Sequence, residues 1–595
     1  MPLHHAHLDA LREALKSEEH HARAEWTRIA GLPLDERVEQ GASWSGVRFE
    51  QIAAFRKREL RVLARGVLHE GISSGDAVIV NGQRGRCVGW DPKVAELSFD
   101  KVRWDDIAGA STVDIGFEAS TWVEYRKALE RADEASSPLA DALLAGVPEP
   151  ESGAHVAPPQ NLEWPELNAS QAAAANAAFN AANLAIIHGP PGTGKTRTLV
   201  ALLQRLSGVR WALAESNAAV DNLALGAAAA GMKVARVGPL HRMTGPIRAL
   251  SLDQQMLDGP WSVALKAIDR DIGRAADGPD KWKLFDQRRE LQDVARTAVL
   301  DQADVIATTF GSLARRAQEL PPADTAVVDE VTQAIEPAVW AAVPHVKRLV
   351  LAGDPHQLGP VVLEPGNILE RGILDRLGDL GVPMPMLGTQ HRMNATIMEL
   401  VRGVYGPDYS AHQSVADHRL ADLDGVVGST PAATWPAALF VDTAGMGEEE
   451  RDPVSQSVFN VTEVAVVGAA LATLLDAGVQ PEQIGVIAPY SAQVARLSAL
   501  SEAEGIEVAT VNAFQGREAE VIVMSFTRSN RDGELGFVAD RRRLTVAVTR
   551  ARRLLVMCGD SATLGRHSDF AELLDQVELH SVWQPPWDAA LPASS

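Results

Sequence analysis

The octet Gly189-Pro190-Pro191-Gly192-Thr193-Gly194-Lys195-Thr196 ties this chain to one local architecture. It fits the phosphate-loop pattern G-x-x-x-x-G-K-[ST] and follows directly on the apolar run Leu184-Ala185-Ile186-Ile187. Behind it Leu199, Val200, Leu202, Leu203 and Leu206 recur at helical spacing. Strand, glycine loop and helix in that order are what the motif requires. Glycines let backbone N–H groups curl around phosphate oxygens, the helix N-terminus adds positive potential, and the lysine neutralises oxygen charge.

Downstream the alternation of strand and helix continues. Apolar strands are expected at 211–214, 305–307, 326–328 and 349–352, each with a polar tip, as in a parallel sheet that binds ligands at its carboxyl edge. A second series runs through 438–441, 484–487, 521–526 and 554–558. Two series predict an α/β fold with two parallel-sheet domains, 167–380 and 381–575. Charged helical sequence at about 245–300 reads as an insertion in the first.

Upstream, residues 1–65 read as helical. Gly75-Asp76-Ala77-Val78-Ile79-Val80 followed by Asn81-Gly82 predicts a tight hairpin, with Arg86–Trp90 as its partner and Ala95–Phe99 as a third strand. A small β-barrel over 66–108 follows from this, then a stalk helix within 109–146, a linker over 147–166 and, at the far end, a tail over 576–595.

Composition narrows the class. At 595 residues, several domains are expected. The first residues lack the basic flank and apolar core of a signal peptide, and no apolar run reaches membrane-spanning length, so the expectation is a cytoplasmic protein without a membrane partner. Two cysteines, Cys87 and Cys558, exclude a disulfide framework, a cysteine zinc finger and an iron–sulfur cluster. The net charge of −22 speaks against a broadly basic binder and for a solvated acidic surface, yet leaves room for a narrow groove touching few phosphates. No lysine follows Lys347, so downstream cations are all arginine, the residue suited to planar phosphate contacts.

Further candidates lie at strand tips. Asp329-Glu330 follows Ala326-Val327-Val328; a carboxylate there can hold magnesium together with Thr196, and its neighbour can polarise an attacking water. Gln357, in Gly353-Asp354-Pro355-His356-Gln357-Leu358, can sense a γ-phosphate. Arg392, in Gln390-His391-Arg392-Met393-Asn394, and Arg550, in Val548-Thr549-Arg550-Ala551-Arg552, can reach that phosphate from the second domain. Each residue alone has an ordinary explanation, such as an acidic strand end or a surface arginine.

Their order is less ordinary. With Thr510-Val511-Asn512-Ala513-Phe514-Gln515-Gly516-Arg517-Glu518, these blocks resemble superfamily 1B helicases, in the branch of the up-frameshift nonsense-decay helicase, the immunoglobulin-mu-binding helicase and senataxin. Leu167-Asn168-Ala169-Ser170-Gln171 resembles that branch's adenine-reading segment, Ser216-Asn217-Ala218-Ala219-Val220-Asp221 its motif Ia, and Ile487-Ala488-Pro489-Tyr490-Ser491-Ala492-Gln493 its motif IV. The resemblance implies two RecA-like motor domains, ATP with Mg2+, a helical stalk bearing a β-barrel, and 5′-to-3′ movement on single-stranded RNA or DNA. It implies Gln171 as adenine reader, Gly189 to Thr196 with Gln357, His391, Arg392, Glu518 and Arg550 around the nucleotide, and Ser216, Asn217, Thr308, Thr309, Pro489 and Thr510 as strand contacts.

Three departures stand out. His391 replaces the tyrosine usual before the motif arginine and offers a smaller stacking face, which weakens the expectation of base selectivity. Asn512 stands where aspartate is common and Asn394 where histidine is common. The reading is therefore a monomeric ATP-driven translocase or helicase with an unidentified recruiting protein. The alternatives are an ATP-gated clamp or ribonucleoprotein remodeller that grips a strand without unwinding, and a small-molecule kinase, against which the last two motifs speak.

Overall fold

The computed structural model describes residues 2–584 apart from 53–58, 69–70, 73–74, 91–92, 135–136, 147–160, 241–242, 244, 276–278, 454 and 581. Most of the expected linker and the last eleven positions of the expected tail lie outside the described residues.

The phosphate-loop strand, Leu184–His188, is the edge of a six-stranded sheet with Arg210–Ala214, Val234–Val237, Val305–Thr309, Ala323–Val328 and Val346–Gly353. Every neighbouring pair is parallel. Such strands bury both faces and read as unbroken apolar runs, which is why five of the six were legible. Val234–Val237 was not anticipated; Arg236 interrupts it, and that guanidinium is 1% exposed because Asp221 and Asn217 hold it. Four helices, 246–250, 252–258, 262–274 and 279–302, fill the connection to Val305, where the insertion was expected.

The second sheet is ordered Glu507–Thr510, Ile484–Ala488, Ala519–Ser525, Ala551–Gly559, Ala438–Asp442, Val582–Gln584, again all parallel. Of the expected tail, residues 576–580 instead finish the helix Ser568–His580, and Val582–Gln584 adds the edge strand beside Leu439–Val441.

The N-terminal expectation needs two corrections. Helix Pro2–Ala30 stands, but 43–52 and 59–65 are not helical. Strands Ser43–Trp44, Arg48–Ile52 and Glu59–Arg65 join Ala77–Val80, Gln83–Trp90, Val94–Asp100 and Val113–Ile115 in one seven-stranded antiparallel sheet. Leu60, Val62 and Ala64 turn inward at every second residue, a period of two blurred in the sequence by the apolar Leu63 between them. Val113–Ile115, expected within the stalk region, closes the sheet between Ser43–Trp44 and Ala77–Val80. The hairpin turn forms as its sequence demands: Val80 pairs with Gln83, and Asn81 and Gly82 take φ of 49° and 76°.

This sheet has its own core around Trp44, Val62, Leu97 and Phe99. The stalk does not. Leu8, Leu11 and Leu15 of the first helix and Tyr125 and Leu129 of helix Ser120–Glu134 share one core with Trp340, Ile373 and the first parallel sheet. Glu336 fastens that joint, with His7 Nε2 2.9 Å from its Oε1 and Arg376 donating to both its oxygens.

Candidate active site

The phosphate loop turns where Gly192 and Gly194 take φ of 71° and 74°. Neither position has room for a Cβ: at Gly192 it would meet Arg392 at 2.6 Å, and at Gly194 the amide of Gln171 at 2.6 Å. Glycine is therefore required both by conformation and by close approach. Helix Lys195–Arg205 starts at once behind it.

Lys195 Nζ donates to Glu330 Oε1 at 2.6 Å and lies 3.6 Å from Asp329 Oδ1. Burial opposes the ammonium charge, but Glu330 and Asp329 outweigh it and hold the group above its ordinary range. Thr196 Oγ1 donates to Asp329 Oδ2 at 2.8 Å, and burial pushes the Asp329 carboxyl up. Among the described residues no cluster of three or more His, Cys, Asp or Glu could hold a metal alone. A hydroxyl and one carboxylate beside the phosphate loop do fit Mg2+, which takes oxygen ligands and fills its octahedron from water and phosphate. Glu330 sits at φ 51°, ψ 40°, a left-handed position costly for a side-chain-bearing residue, and its Oε2 is buried without a partner.

The opposite wall comes from beyond residue 388. Arg550 is 3% exposed, and its guanidinium donates to Val546 O, Arg517 O, Thr549 Oγ1 and Gln357 Oε1, all neutral acceptors. Burial, with nearby Arg392 adding, lowers it to about 10. Gln357 Nε2 donates to Asp354 Oδ2 at 2.7 Å. Burial would raise Asp354, but hydrogen bonds from His188, Gln357 and Tyr405 keep its carboxyl below the usual range. Arg392 pairs with Glu518 and donates to Thr549 O. Burial opposes the Glu518 charge, while Arg392 and Arg552 lower it.

The loop octet, Asp329, Glu330, Gln357, His391, Arg392, Glu518 and Arg550 all line one cleft of about 860 Å3. Gln171 does not. Its Nε2 donates to Thr193 O at 2.8 Å and its Oε1 accepts from Asn168 N–H, so it braces the loop from below. His391 is exposed at the cleft mouth, its N–H on Gly192 O and its ring 4.4 Å from that of His412. Burial, with His412 and Arg197 adding, lowers its pKa.

The expected strand contacts are not gathered. Thr308 is fully buried, Thr309 caps helix Phe310–Arg316, and Pro489 is buried at a strand end; these side chains face the interior. Ser216 caps helix Asn217–Ala229 and lines the nucleotide cleft, Asn217 accepts from Arg236, and Thr510 is half-buried. A second cleft of about 1040 Å3 lies instead between the stalk and both parallel-sheet units, lined by Trp122, Glu215, Val361, Arg542 and Arg543 among others. Gln333, Asn512 and Gln515 line both clefts. Sequence reading also missed Tyr405, which donates to Asp354 Oδ2, and Tyr409, which donates to Pro191 O at 2.8 Å and is fully buried.

Two AAA domain families match the chain, AAA_11 at residues 166–281 and 274–365 and AAA_12 at 369–562. The rat DNA-binding protein SMUBP-2 is 36% identical over 480 residues, which is 75% of this chain and 48% of the relative. The DNA polymerase alpha-associated DNA helicase A of Saccharomyces cerevisiae is 32% identical over 506 residues, 75% of this chain and 73% of that protein. The Caenorhabditis elegans regulator of nonsense transcripts 1 is 33% identical over 509 residues, 81% of this chain and 47% of that protein. Among solved structures, the arterivirus helicase nonstructural protein 10 aligns at 16% identity and a TM-score of 0.41, covering 87% of this chain and 79% of its own. The chain spans about half the length of SMUBP-2. The glycine loop, the Asp329-Glu330 tip, the paired arginines and these relatives together place the chain in one family: it belongs to the superfamily 1 helicases of the Upf1-like branch.

Proposed function

We propose that this protein is a monomeric, cytoplasmic ATP-driven motor that moves 5′ to 3′ along single-stranded RNA or DNA and opens duplexes ahead of it. The two parallel-sheet units serve as the RecA-like motor domains, and stalk and antiparallel sheet as their accessory. No helix among the described residues is long and apolar enough to cross a membrane.

One observation carries the reading. Arg550 is a buried guanidinium with only neutral hydrogen-bond partners, and it lines the same cleft as Lys195, Thr196 and Glu330. A buried cation bonded only to neutral acceptors is costly even with Glu330 and Glu518 nearby, and an anion at this spot reduces the cost. The γ-phosphate of ATP is that anion.

Lys195 leaves Glu330 for the phosphates, which frees the carboxylate to take a proton from the attacking water. The water oxygen bonds the γ-phosphorus as the bond to the leaving ADP breaks. Arg392 and Arg550 neutralise the charge on the transferring group, and Gln357 reports its presence. Thr196 and Asp329 would hold Mg2+, which when bound offsets phosphate charge. Closure of the cleft then shifts the two units along the strand. The second cleft suits the strand, with Trp122 to stack a base and Arg542 and Arg543 to meet phosphates.

Strand displacement decides between motor and clamp. With ATP, a duplex carrying a 5′ single-stranded overhang should be unwound and one with a 3′ overhang left intact. Nucleotide-dependent strand binding without displacement would make the protein a clamp.

A further inference from the structure

The cleft between the stalk and the two parallel-sheet units holds a carboxyl group that the protein itself does not use. Glu215 follows directly on strand Arg210–Ala214 and precedes Ser216, whose side chain caps helix Asn217–Ala229. It lines the cleft together with Thr121, Trp122 and Tyr125 of the stalk helix Ser120–Glu134. The side chain is open to the cleft, and among the described residues no hydrogen bond or ion pair reaches its oxygens.

Its neighbours are already engaged. Arg542 donates to Asp375 Oδ2 at 2.9 Å and Arg543 to Asn512 Oδ1 at 3.3 Å. Arg86 and the Ser120 N–H hold Glu118, and Arg315 donates to Thr121 Oγ1 at 3.0 Å.

A carboxylate repels a phosphodiester, so it serves a strand only where the strand brings a donor to it. Nucleic acid carries two kinds of donor: N–H groups on base edges and the 2′-hydroxyl of ribose. Base-edge donors change with sequence, so a contact to them would hold a moving strand unevenly. The 2′-hydroxyl recurs at every nucleotide of RNA and is absent from DNA. The protein crowded around Glu215 raises its carboxyl to about 7 by withholding water. Near neutral pH the group therefore repels phosphate less than a fixed carboxylate, yet its oxygens still accept.

We propose that Glu215 selects RNA: one of its oxygens accepts a hydrogen bond from a ribose 2′-hydroxyl in this cleft, which makes single-stranded RNA the preferred substrate. This rests on the reading of the cleft as the strand site.

The test is equilibrium binding of the full chain, without nucleotide, to three short fluorescent strands that share one base: oligouridylate, its 2′-fluoro form and oligodeoxyuridylate. The fluoro sugar keeps the ribose pucker but cannot donate. The ribose strand should bind about 3- to 10-fold tighter than either of the others, the worth of one hydrogen bond. Glu215→Ala should bring the three affinities together. Glu215→Gln, whose carbonyl still accepts, should keep most of the preference.

Equal binding of ribose and deoxyribose strands by the parent, or a preference that survives Glu215→Ala, would overturn the proposal. So would a 2′-fluoro strand bound as tightly as RNA, since pucker would then be what is read. If Ala and Gln tighten all three strands alike, Glu215 is only a repelling charge. Each of these failures leaves strand binding, and with it the motor reading, intact. A parent chain that binds none of the strands would remove the strand site and this proposal together.

Discussion

Nη2 of Arg550 donates to Oε1 of Gln357 at 3.2 Å, a bond between residues 193 positions apart that joins the second parallel-sheet unit to a strand tip of the first. The opposite end of the same amide holds Asp354, on which His188 and Tyr405 also converge. An anion arriving in the cleft competes for Arg550 and so disturbs a buried network common to both units. Arg550→Ala is predicted to lower kcat by about 10³-fold, while nucleotide still binds in an equilibrium titration. Undiminished turnover would mean that no arginine is supplied from the second unit.

Lys195→Ala and Glu330→Gln should both abolish turnover for different reasons. The first removes the charge that neutralises phosphate oxygens. The second keeps shape and hydrogen bonding but cannot accept a proton. Far-ultraviolet circular dichroism should be unchanged in each, since Lys195 and Glu330 contribute no core packing. Strand-stimulated hydrolysis surviving in Glu330→Gln would remove its assignment as general base.

Glu463 makes a pH prediction away from the site. It is fully buried, accepts from Ser525 Oγ and Thr527 N–H through Oε2, and leaves Oε1 without a partner. Burial raises its carboxyl to about 8. Between the unfolded value, about 4.3, and 8 the native state holds a proton that the unfolded chain has lost, so stability falls as pH rises through this window. Glu463→Gln removes that slope. The Tm difference between variant and parent should grow in the variant's favour from pH 5 to pH 8. A difference independent of pH would contradict the buried neutral carboxyl.

Glu336 behaves oppositely. Burial alone would raise its carboxyl, but the hydrogen bond from His7 and the charge of Arg376 bring it down to about 2. Its stabilising share is present above the unfolded value and is lost as pH falls toward 2. Arg376→Ala leaves this carboxylate buried with His7 alone and also loses the bond to Leu143 O. Breaking a buried pair costs about 3–5 kcal/mol, so thermal unfolding should move down by several degrees. An unchanged transition would mean that this cluster does not hold the stalk to the first unit.

Local chemistry explains what is legible in the sequence. The octet 189–196 announced itself because phosphate binding dictates its glycines and its lysine, and the flanking strand and helix are runs of one character. Asp329, Glu330, Gln357, Arg392 and Arg550 were legible as strand tips and motif arginines, and the structure brings them to one cleft. Tyr405 and Tyr409 were not, because their partners Asp354 and Pro191 lie 51 and 218 positions away. That Gln171, Thr308 and Pro489 are buried off the cleft was illegible for the same reason. A polar residue or a proline near a strand end looks alike from the sequence whether it faces a ligand or the interior. Residues 59–65 read as helix because Leu60, Val62 and Ala64 alternate over too short a span to outweigh the helical pattern before them.

Steady-state ATP hydrolysis with no nucleic acid, with single-stranded RNA and with single-stranded DNA, at low and physiological salt, tests the central claim most directly. A motor predicts strong stimulation by at least one strand, falling as salt rises because counterions released from the phosphates gain less entropy in more concentrated salt, and the better activator names the substrate. Hydrolysis indifferent to both strands would contradict the account and make this cleft an ATPase for some other client.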